Sequence, residues 1–199
     1  MLVKICGMRD PENIAELDSL NPDFIGFIFY PMSKRYVSGE LPASHAKRIG
    51  VFVNETIENV LSHVVRYKLD GVQLHGFESP SFCRRIKESG IIVFKAFQIA
   101  KASDFRECKE YALYCDYFLF DTKNKNYGGS GQKFDWSLLD AYDGPSPFFL
   151  SGGISDTDVE QICQLSHPFF AGVDLNSGFE LAPAVKDIGR IRSMLMQIK

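Results

Sequence analysis

The sequence predicts the α/β class and, within it, one compact (β/α)8 TIM barrel built from residues 1–199 as a single domain. Three observations predict it. Short apolar runs recur eight times along the chain, amphipathic stretches separate them, and each unit averages about 25 residues, room for one strand and one helix. Strands read at residues 2–6, 23–29, 49–53, 71–74, 91–97, 117–121, 147–151 and 171–175, with helical patterns between them and after the last. The same alternation is compatible with an open doubly wound sheet, but eight units is the number that closes a barrel.

Taken in order, each element fixes what its side chains face. Along the first strand Val3 and Ile5 share one side and Lys4 and Cys6 the other. Helices would cover Val3 and Ile5, which leaves Lys4 and Cys6 inside, with the thiol at the carboxyl end. Asp10 is a good N-cap for the first helix and Pro11 suits its first position. Further helix starts read at Asn54, at Ser79-Pro80, and at Ser155 with Asp158 as a capping box. Gln73 and His75 alternate with Val72 and Leu74 and should face inward. In strand six, Phe118 and Phe120 belong under the helices and Asp121 inside, at the carboxyl end. Asp174, between Val173 and Leu175, also points inward. Strand eight lies beside strand one in a closed barrel, so a Lys4–Asp174 pair is expected beneath the site. Residues 122–133 hold Gly128-Gly129-Ser130-Gly131, a glycine-rich loop suited to a lid, to an anion contact, or simply to a surface connection.

Composition narrows the class of partner. With 22 basic against 25 acidic residues the net charge is −3, and no long block of one sign occurs. Neither nucleic acid nor an anionic membrane is an expected partner, whereas a few local donors suffice for a small anionic ligand. Cys6, Cys83, Cys108, Cys115 and Cys163 are odd in number, scattered and never C-x-x-C. That spacing argues against a disulfide framework or zinc and for a reducing compartment. The chain begins in a strand, not a signal-peptide pattern, and its apolar runs are too short to span a bilayer. A soluble cytoplasmic protein is the expectation. None of the four histidines pairs with a carboxylate at metal-ligand spacing, so neither metal nor cofactor is indicated.

Several residues could carry chemistry. Lys4 beside Cys6 should lower the thiol's pKa from about 8.5 and make thiolate available; inert packing is the other use of a buried cysteine. Asp121 could be an acid, a base, a metal ligand or a cap. The loops Ser151-Gly152-Gly153-Ile154 and Asn176-Ser177-Gly178-Phe179 follow strands seven and eight, where barrels commonly bind phosphate through backbone N–H groups. Arg35 follows strand two and could hold a carboxylate through two parallel hydrogen bonds, or lie solvated. His75 is either a substrate contact or a structural histidine.

Lys4-Ile5-Cys6-Gly7, Gly26-Phe27-Ile28-Phe29, Ser33-Lys34-Arg35-Tyr36-Val37 and Gly50-Val51-Phe52-Val53-Asn54 together resemble the phosphoribosylanthranilate isomerase family. So do Val72-Gln73-Leu74-His75-Gly76, Gly128-Gly129-Ser130-Gly131 with Phe134-Asp135-Trp136, Ser151-Gly152-Gly153-Ile154 and Val173-Asp174-Leu175-Asn176-Ser177-Gly178-Phe179-Glu180. These segments span nearly the whole chain in order. The resemblance implies a cofactor-free Amadori rearrangement of a phosphorylated small molecule in tryptophan biosynthesis. It also implies Asp121 as general acid, Cys6 as general base, Arg35 on the substrate carboxylate, Gly152, Gly153, Ser177 and Gly178 on the phosphate, and His75 and Gly129 near the substrate. Monomer and homodimer are both compatible with it. Lys34, Ser130 and Ala184 depart from the family's usual proline, threonine and glycine, which puts loop geometry in doubt but not the reaction. The related isomerase of histidine biosynthesis has an aspartate in place of Cys6 and a two-fold repeat, neither seen here. A non-catalytic phosphosugar-binding barrel would not need both proton-transfer positions, and a thiol-redox protein would need a resolving cysteine near Cys6.

Overall fold

Runs rich in Val, Ile and Phe build eight strands, β1 (Leu2–Cys6), β2 (Phe24–Ile28), β3 (Lys47–Phe52), β4 (Gly71–Leu74), β5 (Ile92–Ile99), β6 (Tyr117–Thr122), β7 (Phe148–Leu150) and β8 (Phe170–Leu175). The computed structural model describes residues 1–122 and 133–198. All eight strands pair in parallel in chain order, and β8 returns to β1 with Lys4 opposite Asp174. The barrel is therefore closed, and the open sheet is excluded because no strand is left as an edge.

Among the described residues five α-helices pack outside, α1 (Pro11–Asp18), α2 (Ile57–Tyr67), α3 (Pro80–Lys87), α4 (Val159–Gln164) and α5 (Ile188–Ile198). Among the described residues none is long and apolar enough to cross a membrane. After β5 and β6 the connections contain 3-10 helix instead, over Ala102–Tyr111 and Trp136–Ala141. The β2–β3 crossover carries no helix, contrary to the expected alternation. Pro31, Gly39 and Pro42 break any helical run there. That crossover turns back on β2 instead, with Tyr36 bridged to Ile28 and Val37 N donating to Ile28 O at 2.9 Å. After β8 a short hairpin, β9 (Glu180–Ala182) and β10 (Val185–Lys186), precedes α5; the sequence reading did not anticipate it.

The helix starts follow their caps. Asp10 accepts from Asn13 N at 2.8 Å with Pro11 leading α1, and Ser79 accepts from Phe82 N at 3.2 Å with Pro80 leading α3. Ser155 and Asp158 form the expected box, Ser155 N donating to Asp158 at 2.8 Å. One start moves. Thr56, not Asn54, caps α2, accepting from Asn59 N at 3.2 Å. Asn54 sits at φ 52° and its side chain accepts from Phe77 N at 2.6 Å, joining the loops after β3 and β4.

Strand parity sorts the core into two layers. Val3, Ile5, Phe118 and Phe120 are fully buried under the helices. Inside, Phe24, Phe94 and Phe149 meet edge-on at centroid distances of 5.3 to 5.9 Å, packed with Ile49. Each such pair contributes about 0.5–1.5 kcal/mol beyond area burial. These rings plug the barrel interior, and the chemistry-bearing side chains collect nearer the carboxyl end, where Cys6, Ile28 and Val51 cluster.

Ala184, the departure noted above, lies in the β9–β10 turn at φ 68°, a left-handed conformation, and is buried. A Cβ there costs about 1–2 kcal/mol, which glycine avoids at some entropic cost. Ala184→Gly is therefore expected to stabilise the protein by about 0.5–1 kcal/mol. Urea unfolding at constant m measures it, and a lower midpoint in the variant would show that the turn is unstrained.

Candidate active site

Lys4 Nζ donates to Asp174 Oδ1 at 2.8 Å, with both groups almost completely buried. Asp174 holds the ammonium charged and its pKa raised although burial pulls the other way. Cys6 stands above this pair, opposite Gly26 of β2. A Cβ on residue 26 would lie 2.8 Å from Cys6 Sγ and 3.1 Å from Lys4 Nζ, so the missing side chain makes the space both occupy.

The thiol does not behave as its neighbour alone suggests. Burial pushes the Cys6 pKa up, and although Lys4 and Lys186 pull it down, Asp174 adds to the rise. Asp174 offsets part of the Lys4 field at the sulfur, and desolvation outweighs the rest. The expectation of a thiol lowered by Lys4 is corrected: burial, with Asp174 adding to it, outweighs Lys4 and the thiol pKa is raised.

Asp121 closes the inward face of β6. Its Oδ1 accepts from Thr122 N at 2.7 Å and its Oδ2 lies 3.4 Å from His75 Nε2. His75 Nδ1 in turn meets Gln73 Nε2 at 2.8 Å. Gly152, at φ 83°, passes so close that a Cβ would run into Asp121 Oδ1 and Thr122. Glycine is required here because it lets the loop after β7 close over the carboxylate.

Cys6, Arg35, His75 and Asp121 line one cleft that is open to solvent at its mouth, and Gly152, Gly153, Ser177 and Gly178 line it with them. Among the sequence-derived candidates, Gly129 and the glycine-rich loop lie outside the described residues. The base of that loop is described: Phe134 N donates to Thr122 Oγ1 at 2.9 Å, and Lys133 pairs with Asp158.

Arg35 is neither solvated nor open on its forked edge. Nε and Nη2 donate to the two oxygens of Glu180 at 2.7 and 2.5 Å. The parallel pair of hydrogen bonds expected for a ligand carboxylate is thus already made within the protein, which leaves the Nη1 end to face one. Burial would raise the Glu180 carboxyl, but Arg35 and Lys186 outweigh it and hold it at about 2. Lys186 Nζ, fully buried, also donates to Glu180 Oε1 at 2.7 Å and to Asn176 Oδ1 at 2.8 Å. The Lys186 backbone is fixed by both ends of Asn13, at 2.7 and 2.9 Å. Sequence reasoning missed this group. Only its segment was marked, and a lysine in a two-residue strand carries no pattern that separates it from a surface lysine.

Residues 3–197 match the family model described as N-(5'phosphoribosyl)anthranilate (PRA) isomerase. A protein of Parabacteroides distasonis named N-(5'-phosphoribosyl)anthranilate isomerase is 48% identical over 206 residues, covering 100% of this chain and 93% of that relative. The crystal structure of phosphoribosyl anthranilate isomerase from Thermotoga maritima is 37% identical, with a TM-score of 0.84 over 100% of this chain and 98% of that one. A structure of such an isomerase with reduced 1-(o-carboxyphenylamino)-1-deoxyribulose 5-phosphate bound is 35% identical, with the same score and coverage.

Proposed function

The chain belongs to the N-(5'-phosphoribosyl)anthranilate isomerase family of tryptophan biosynthesis, and from that premise we propose that Cys6 and Asp121 perform its Amadori rearrangement. The substrate is N-(5-phosphoribosyl)anthranilate and the product 1-(2-carboxyphenylamino)-1-deoxyribulose 5-phosphate. One observation carries the assignment: a thiol from β1 and a carboxyl from β6 line the same cleft at the carboxyl end of the barrel.

Asp121 gives its proton to the ribose ring oxygen. The C1–O bond breaks, its electron pair stays on that oxygen, and the anthranilate nitrogen forms an iminium. Cys6 then removes the C2 proton, and the resulting enamine tautomerises to the ketone. Burial holds the thiol pKa up, so Cys6 first releases its own proton to solvent at the open mouth of the cleft; the positive iminium favours the resulting thiolate, which then takes the C2 proton. Phosphate held by Gly152, Gly153, Ser177 and Gly178 contributes binding energy remote from the reacting carbons. The Nη1 end of Arg35, kept in place by Glu180, meets the anthranilate carboxylate.

Purified protein is expected to consume phosphoribosylanthranilate, followed as loss of its fluorescence, at a rate proportional to enzyme concentration. Substrate loss no faster than in buffer would overturn the assignment.

A further inference from the structure

Gln73 is a buried polar group to which the chemistry above gives no part. It is 1% exposed, faces inward on β4 opposite Val51, and lines the cleft with Cys6 and Asp121. Its Nε2 meets His75 Nδ1 at 2.8 Å, while its Oε1 has no hydrogen-bond partner among the described residues. An unmet buried acceptor is costly to keep, so a fold that keeps one invites a functional reason. The reverse amide orientation would put two N–H donors where one acceptor oxygen stands.

That orientation decides where His75 carries its proton. An amide N–H pointed at Nδ1 needs a lone pair there, so the neutral ring holds its hydrogen on Nε2. Nε2 is the atom that faces Asp121 Oδ2, 3.4 Å away. We propose that Gln73 is a positioning residue that fixes His75 as the Nε2–H tautomer, so that the ring donates to Asp121 as that carboxyl becomes a carboxylate.

The inference rests on Asp121 acting as the acid. When its proton passes to the ring oxygen, negative charge appears on Asp121, whose Oδ1 already accepts from Thr122 N. An N–H at Oδ2 strengthens as that charge develops and does little for the neutral acid. It therefore acts on kcat and not on KM. The 3.4 Å contact is expected to shorten during ring opening.

Nitrogen-15 NMR of histidine-labelled protein reads the tautomer directly, with His75→Asn assigning the signal. In the unaltered protein the His75 ring should be protonated at Nε2 alone. Gln73→Met should give a mixture of tautomers, and Gln73→Glu, which can only accept, should move the proton to Nδ1. In both variants kcat on phosphoribosylanthranilate should fall about tenfold with KM unchanged. An Nδ1–H ring in the active, unaltered protein overturns the positioning role, and this spectrum needs no variant to fold. Unchanged kcat in both variants overturns it as well. A protein inactive on phosphoribosylanthranilate instead overturns the reaction, and with it the part given to Asp121.

Discussion

Cys6→Ala and Asp121→Ala should each lower kcat by about 10²–10⁴-fold, the span that a positioned acid or base supplies. Neither change should cost the fold or the affinity for the product. Cys6 contacts Ile28 and Val51 near the mouth of the barrel, away from the aromatic plug of Phe24, Phe94 and Phe149. Asp121 lies at the rim with its side chain 13% exposed, so alanine there leaves neither a large cavity nor a stranded buried charge. The phosphate loops and Arg35 are untouched in both variants, and they account for most of the affinity. Steady-state kinetics, with calorimetric titration of the reduced product, tests both halves at once. A rate within tenfold of the unaltered enzyme in either variant would remove that residue from its role. Loss of analogue binding together with rate would show instead that the site had collapsed.

Asp174→Asn should destabilise the protein by about 3–5 kcal/mol, because Lys4 would then be a buried charge without a counter-charge. For a chain of this size that is a fall in Tm of roughly 6–20 °C. Adding Lys4→Met to Asp174→Asn should restore most of it, since removing both charges also removes both desolvation costs. Thermal unfolding of the single and double variants measures the cycle. A single-variant loss below about 1 kcal/mol, the range of exposed pairs, would show that the ammonium reaches water. Asp174→Asn has a second expected consequence. Lys4, no longer matched, should pull the Cys6 thiol pKa down, and iodoacetamide should label Cys6 faster than in the parent. Peptide mapping is needed for that readout because Cys163 is exposed.

The extent to which the site could be read from the chain differs residue by residue. The placement of Cys6, Gln73, Asp121 and Asp174 inside the barrel follows from two-residue periodicity in an eight-stranded closed sheet. Strand closure then makes Lys4 and Asp174 neighbours although 170 positions separate them. Asn54 shows where local reading fails. Its side chain is as good a cap as that of Thr56, but a tertiary bond from Phe77 N claims it. Arg35 shows the same in the site itself: its residue type and position mark it as a carboxylate binder, yet the carboxylate on its forked edge is Glu180.

Local patterning by itself determined the eight strands, the inward face of each and the six polar side chains, Lys4, Cys6, Gln73, His75, Asp121 and Asp174, that face into the barrel, because hydrophobic period and strand parity are properties of neighbours in sequence. Only the tertiary structure decided the charge states and the pairings at the mouth. It raised the Cys6 thiol pKa by burial, turned Arg35 toward a Glu180 that Lys186 also holds, and brought His75 between Gln73 and Asp121. Those outcomes depend on desolvation and on distances between elements far apart in the chain, which folding sets and no local pattern records.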